Sequence, residues 1–331
     1  MMNIFRTSGR NGVVMALGVL VLLFLAVVIF YSGGSLSWAD RVPESGPLPL
    51  FGYQNREILG GSKATEHPDM RDFRLLGKVK RLPTTEELQK VDDKLLMYIY
   101  HSYLDNTDYR CHRKLRLGKV GDGGWEVCDD YEFRPLQPCV VYSFGIHDDF
   151  SFDDEAGRLY GCDVFSFDPS MESKNHQRSE KVRFYNLGLG GSGGISSLPF
   201  NTAPIARKEG WRIETLSSIK ALLKHHNETI DILKMDIELS EWPALADILA
   251  TGELTKVRQL LIEYHLPGSE AYYVRHNLPI LSQIEALGFR RYYTHLNPMC
   301  EPMPNVYTVN RTGCYELYYV NTHFAPQHPS R

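Results

Sequence analysis

The sequence predicts an α/β fold, a mainly parallel sheet of seven strands with helices on both faces. Three observations predict it. From residue 139 onward, short apolar runs alternate with segments of helical period. Those runs are almost continuously hydrophobic, as strands covered on both faces are. Several of them end in glycine or an acidic residue, the pattern of strand ends that open onto a ligand crevice.

The elements follow in order. Thr84 and Glu87 have capping-box spacing, and Leu88, Val91, Leu95, Ile99 and Tyr103 recur at helical intervals, so one supporting helix or lid is expected before the sheet. A glycine-rich loop, Gly121-Asp122-Gly123-Gly124-Trp125, comes next. The first strand is predicted over Cys139–Gly145, a helix over Phe152–Tyr160 and the second strand over Asp163–Phe167. Val182–Leu187 reads as the third strand and Ile219–His225 as a helix started by Thr215 or Ser217. Ile230–Met235 is the fourth strand, Trp242–Leu249 a helix and Val257–Glu263 the fifth strand. A helix over Leu278–Leu287 and strands over Phe289–His295 and Cys314–Val320 complete the series. The last two strands, joined by a long loop, suggest a closing antiparallel pair.

Hydrophobic residues form 43% of the 331-residue chain, enough to bury a core. A net charge of −4 and no Lys/Arg stripe argue against nucleic acid as a partner. Val13–Tyr31 carries no charge, proline or asparagine. At about 1.5 Å per helical residue it spans the roughly 30 Å hydrocarbon core, whereas a cleaved leader's apolar region is usually about 7–15 residues. Arg6 and Arg10 precede the run, while Asp40, Arg41 and Glu44 follow it without positive excess. The positive side stays cytosolic, giving a single-pass, type II signal-anchor with a luminal or extracellular bulk. Cleavage at the small residues of Ser32–Ser35 would instead give a secreted protein. The organisation expected is a cytosolic tail over 1–12, the anchor over 13–31, a stem over 32–82, a catalytic domain over 83–322 and a C-terminal tail over 323–331.

Two glycosylation sequons, at Asn227 and Asn310, and an even set of six cysteines agree with the Golgi or endoplasmic reticulum lumen. Cys111/Cys128 and Cys300/Cys314 are the pairings expected, whereas Cys139 and Cys162 fall in apparent core strands and read as buried thiols. No C-x-x-C spacing calls for zinc.

The chemistry is expected at the strand ends. Ser143, Phe144, Gly145 and Ile146 close the first strand, and Gly145 would let a ligand approach the backbone. Asp168-Pro169 closes the second, 23 positions past Gly145, the spacing of an acidic residue that holds the ribose of an adenosine ligand. On the fourth, Asp236 and Glu238 alternate along an extended segment and so face one side. Glu263 and His265 end the fifth, and the four make a rim of acid/base-competent groups.

The segments GDGGWEVC (121–128), VVYSFGIHDDFSFD (140–153), GCDVFSFDPSM (161–171), DILKMDIELSEW (231–242), LLIEYHL (260–266) and CYELYYVN (314–321) resemble the methyltransferase-like protein 24 type, a group distantly related to FkbM-type sugar O-methyltransferases. The resemblance implies a class I methyltransferase-like, Rossmann-like fold that uses S-adenosylmethionine. It implies cofactor contacts at Ser143–Ile146, Asp168 and Pro169. From their shared location at strand ends, Asp236, Glu238 or His265 is expected to serve as general base, with Glu263 orienting a hydroxyl or the histidine. Lys234–Glu241 is similar to the FkbM-type K-x-D-x-E-G-x-E motif, with Leu239 in place of its glycine. The acceptor implied is a hydroxyl of a glycan or other secretory-pathway molecule. The acidic pair leaves room for a divalent metal without requiring one. Two other readings share these features. A Golgi glycosyltransferase would use Asp236 and Glu238 to hold a metal–nucleotide, and a non-catalytic luminal protein would keep the fold alone.

Overall fold

The structure, a computed structural model, describes residues 82–196, 210–266, 271–297, 300, 302–303 and 311–325. The anchor over 13–31, the tail before it, the stem up to residue 81 and Asn310 lie outside the described residues. Among the described residues no helix is long and apolar enough to cross a membrane.

Two short helices, α1 (Thr85–Gln89) and α2 (Asp93–Leu104), open the described chain. The single helix expected here is broken, although the Thr84–Glu87 capping box forms as predicted. Asp92 caps the second helix by accepting from the Leu95 N–H at 2.9 Å, and Arg275 donates to the carbonyls of Leu88 (3.0 Å) and Val91 (3.1 Å) that the break frees. A hairpin follows, β1 (Lys114–Leu117) and β2 (Trp125–Cys128), with the glycine-rich segment as its turn.

The central sheet contains β3 (Val140–Phe144), β4 (Asp163–Phe167), β5 (His176–Gln177), β6 (Val182–Tyr185), β10 (Ile230–Met235), β11 (Val257–His265), β12 (Phe289–Leu296) and β15 (Cys314–Asn321). Their order is β12-β15-β11-β10-β3-β4-β6-β5. Seven of these are the strands read from the sequence, and β5 is a two-residue edge addition. The neighbours from β11 to β6 run parallel, and β15 enters antiparallel between β11 and β12. The third strand ends at Tyr185, two residues short of its expected end, and β7 (Gly188–Leu189), β8 (Gly194–Ser196) and β9 (Trp211–Glu214) form a separate three-stranded sheet. A pair of β13 (Pro302–Met303) and β14 (Arg311–Thr312) lies in the last long connection.

Alternation along the strands sends side chains to two faces. Tyr142, Phe144, Leu233, Met235, Leu260 and Ile262 join one core with α1, α2, α4 (Leu216–Leu223), α5 (Glu241–Ala250) and α6 (Ala271–Ala286). Val141, Ile232 and Leu261 join the other, covered by α3 (Ser151–Tyr160) and by Trp125 and Val127 of the hairpin. Helix α6 begins seven residues earlier than expected and runs through Pro279, with Val274, Leu278, Leu281 and Ile284 buried along one face. That apolar stripe outweighs the missing amide of the proline.

All six cysteines are bonded, as Cys111–Cys128, Cys139–Cys162 and Cys300–Cys314. Cys139 and Cys162 are therefore not buried thiols. They immediately precede β3 and β4, which pair in register from Val140 and Asp163, and this sets their Cα atoms 4.7 Å apart.

Candidate active site

The ends of four neighbouring strands, β4, β3, β10 and β11, carry the predicted residues. Gly145 is their hinge. It adopts a left-handed φ of +70°, and a Cβ there would overlap the Asp236 carbonyl oxygen. Its N–H donates to the Phe167 carbonyl at 2.9 Å, so the turn is fixed to β4 on one side and packed on β10 on the other. The glycine is thus required first by a neighbouring strand. Ser143, Phe144 and Ile146 are buried, and the Phe144 ring stacks on Phe167 at 4.5 Å between centroids. Their side chains are buried in the interior rather than presented at the strand ends.

Asp168 is buried at the end of β4. One carboxylate oxygen accepts from Ser170 N–H (2.7 Å) and Oγ–H (2.6 Å); the other accepts the His147 N–H at 2.8 Å. Asp168 therefore ties the β3 turn to the β4 turn, and its second oxygen retains a free lone pair. Pro169 packs beside Gly188, where a Cβ would meet its ring.

Beyond β10 the chain does not remain extended. Glu238 and Leu239 both take left-handed φ, +53° and +72°. This corrects the expectation that Asp236 and Glu238 alternate along one face. Asp236 is partly buried, whereas the Glu238 side chain is 67% exposed. The turn still returns Glu238 to the cluster, with its Oε2 3.6 Å from His265 Nε2. The left-handed turn for which the related motif has glycine thus forms here on leucine, at an expense of about 1–2 kcal/mol.

His265 is held from α5, directly after that turn. Its Nδ1 lies 3.0 Å from Oε1 of the fully buried Glu241, which also accepts the Ile237 N–H at 2.9 Å. Its carbonyl accepts from Trp242 Nε1–H at 2.7 Å, and the Trp242 ring stacks on Tyr264. Burial alone would lower the His265 imidazole. The hydrogen bond and charge of Glu241, with Glu263 and Asp236 behind it, prevail and push it up to about 10. Without another ligand, His265 is a cation at neutral pH and so is not a base. Burial raises Asp236 to about 6 against the pull of Lys234 and His265, and burial with the Asp236 charge raises Glu263 to about 8. Glu263 sits inside the sheet and accepts from Asn297 Nδ2–H at 2.9 Å.

Three contributors were given no role from the sequence, although Lys234 and Glu241 are the first and last positions of the motif-like segment. Glu241 has the look of a helix-starting acid, and Asn297 reaches the site from the far end of β12. Lys234, buried on β10, donates to the carbonyls of Gly145 (2.7 Å) and Phe144 (3.3 Å). Its ammonium lies 5.2 Å from the centre of the Trp125 ring, so the hairpin bearing the glycine-rich turn also covers the site's base. Lys119 of that hairpin pairs with Asp149 at 3.0 Å, beside the β3 turn.

The arrangement has two halves joined at Gly145, an Asp168 turn suited to hydroxyls and a carboxylate–histidine cluster. The sequence as a whole is similar to known proteins. The family described as a methyltransferase domain matches residues 83–311. The chain is 28% identical over 242 residues to a rat protein named "Probable methyltransferase-like protein 24", covering 67% of this chain and 64% of the rat protein. The human protein of the same name is 26% identical over 260 residues, covering 72% and 68%. The chain thus spans somewhat under two thirds of the rat relative's length. A match over more than half of its residues makes the chain a member of the methyltransferase-domain family.

Proposed function

We propose that this protein is an S-adenosylmethionine-dependent methyltransferase whose acceptor is a hydroxyl of a glycan or another secretory-pathway molecule. The observation that carries the reading is the placement of Gly145 between Asp168 on one side and Asp236 with His265 on the other. The residues fit the cofactor. The spare lone pair of Asp168 suits a ribose hydroxyl, and the left-handed Gly145 turn, held by Lys234, lies beside it. The cofactor supplies a methyl group activated on a sulfonium.

This chain's residues handle the acceptor. Attack by a hydroxyl oxygen requires its proton to leave, and Asp236, raised to about 6, is ionised at neutral pH yet basic enough to accept it. His265 and Glu238, at the mouth of the cluster, orient the hydroxyl for in-line approach. The type II anchor over 13–31 is part of the same proposal. The three disulfides and an exposed Asn227 support an oxidising, luminal setting.

The test uses the full-length chain in detergent. S-adenosylhomocysteine should raise its melting temperature, UDP- or GDP-sugars should not, and Asp168→Ala should abolish the shift. Stabilisation by nucleotide sugars alone would replace this reading with a glycosyltransferase. Incubation with methyl-labelled cofactor and a glycan array then identifies the acceptor, and label on protein alone would overturn the glycan assignment.

A further inference from the structure

Hairpin β1–β2 stands outside the central sheet, yet it bears on the loop between β3 and α3 from both ends. Trp125 lies over Lys234, whose ammonium donates to the Gly145 carbonyl at 2.7 Å where the loop starts. Lys119 pairs with Asp149 at 3.0 Å where the loop ends. The Gly118 N–H reaches past it to α3, donating to Glu155 Oε2 at 2.8 Å.

Two glycines of the hairpin turn serve different partners. A Cβ on Gly124 would come within 1.8 Å of the Lys119 carbonyl oxygen, so this glycine is needed by the turn itself. That carbonyl accepts from Arg116 Nε–H at 2.8 Å, and the Gly121 carbonyl accepts from Arg116 Nη2–H at 2.6 Å. A Cβ on Gly123 would instead come within 2.4 Å of Asp149 Oδ2, an atom of the loop beyond the hairpin. Gly123, at φ +92°, gives the turn its left-handed step and the Asp149 carboxylate its room.

Asp149 is the point at which the loop is fixed. Its side chain is 20% exposed; Oδ1 accepts the Ser151 N–H at 2.9 Å at the start of α3, and Oδ2 meets Lys119. Burial would raise this carboxyl. The hydrogen bonds of Ser151 and the Lys119 ammonium outweigh burial and hold it below the ordinary carboxylate range, so both partners are charged at neutral pH. The Asp149 N–H donates to the Ile146 carbonyl at 2.9 Å. Inside that turn His147, at φ +46°, donates its N–H to Asp168 at 2.8 Å. The linkage is continuous. Lys119 and Gly123 hold Asp149, Asp149 closes the turn, and the turn presents the His147 N–H to Asp168.

We propose that Lys119, Gly123 and Asp149 are positioning residues for the cofactor, a clamp by which the glycine-rich hairpin sets the β3–α3 loop and, through His147, the aim of Asp168. The ligand's identity rests on the methyltransferase reading, whereas the clamp itself does not. An ion pair with a purely structural role would act on stability alone, and weakly. This one acts on ligand affinity.

Full-length protein in detergent is titrated calorimetrically with S-adenosylhomocysteine, and hydrogen exchange of residues 146–152 is measured without ligand. Lys119→Met and Asp149→Asn, the latter keeping an acceptor for Ser151, should each weaken binding by about 2–5-fold. Each should also speed exchange in that segment while the melting temperature stays unchanged. The double variant should bind no more weakly than either single one, because both break the same pair. Lys119→Arg, which keeps charge and reach, should bind as the parent does. Gly123→Ala should bind about 10-fold more weakly and lose stability at its left-handed φ. Parent affinity in both Lys119→Met and Asp149→Asn overturns the proposal, whether or not their melting temperatures fall. If the parent itself does not bind S-adenosylhomocysteine, the methyltransferase reading and the cofactor role fall together. Exchange then decides the clamp: faster exchange in the two variants supports it, and unchanged exchange overturns it.

Discussion

The carbonyl oxygen of Asp236 fills the space beside Gly145 that any side chain would need, so the ends of β3 and β10 meet backbone to backbone. Gly145→Ala therefore meets two penalties, a left-handed φ and a displaced neighbouring strand. The expected loss is about 3 kcal/mol or more in chemical denaturation, with S-adenosylhomocysteine stabilisation gone as well. A variant with full stability would show that the two turns are not in contact.

Leu239 occupies a conformation that glycine adopts freely. Leu239→Gly should relieve about 1–2 kcal/mol of backbone strain while adding about 0.4–1 kcal/mol of unfolded-state entropy, leaving stability unchanged or slightly improved. Leu239→Val, stiffer at Cβ, should be destabilising. A glycine variant clearly less stable than the parent would mean that the leucine side chain, rather than the turn, is what matters.

Glu263 gives a pH test. Its carboxyl releases a proton near the ordinary value of 4.5 when unfolded and at about 8 when folded. Between those values folding takes up a proton, so this group's contribution to stability is complete below about pH 4.5 and is lost as pH rises through 8. Glu263→Gln keeps an acceptor for Asn297 and removes the titration. Relative to the parent in EDTA, its melting temperature should match at pH 4.5 and rise progressively toward pH 8. A constant difference across that range would contradict the assignment.

The Cys139–Cys162 bond lies before β3 and β4, at the opposite end of both strands from Gly145. Replacing both cysteines by serine should lower stability by about 3 kcal/mol, as expected for a loop of this length. S-adenosylhomocysteine binding at a temperature where the variant is folded should be unchanged. A loss of binding without a loss of stability would mean that the bond shapes the site directly.

Much of the fold was legible because buried parallel strands announce themselves as apolar runs between turns, and Asp163–Phe167 and Ile230–Met235 have the predicted bounds. Where two signals competed, reading by period alone failed. Asp92 interrupted a helical pattern by capping afresh, and Pro279 hid the first half of α6. The strand-end residues of the site were found by position. Glu241 and Asn297 were not, since nothing local to a helix start or a strand exit states which distant side chain it will meet. The left-handed pair at Glu238 and Leu239 was equally hidden, because leucine carries no sign of that conformation.

Strand β15 lies between β11 and β12, hydrogen-bonded to both. A ribosome therefore delivers the inner rung of this sheet after the two strands it must join. Until residues 314–321 emerge, β11 and β12 have no partner on their facing sides, and a chain cut short before them loses the join itself. The sheet of this domain is thus completed only after residues 314–321 have been made, and nonsense mutations before residue 314, although far downstream of Asp236 and His265, should be as damaging as substitutions within the site.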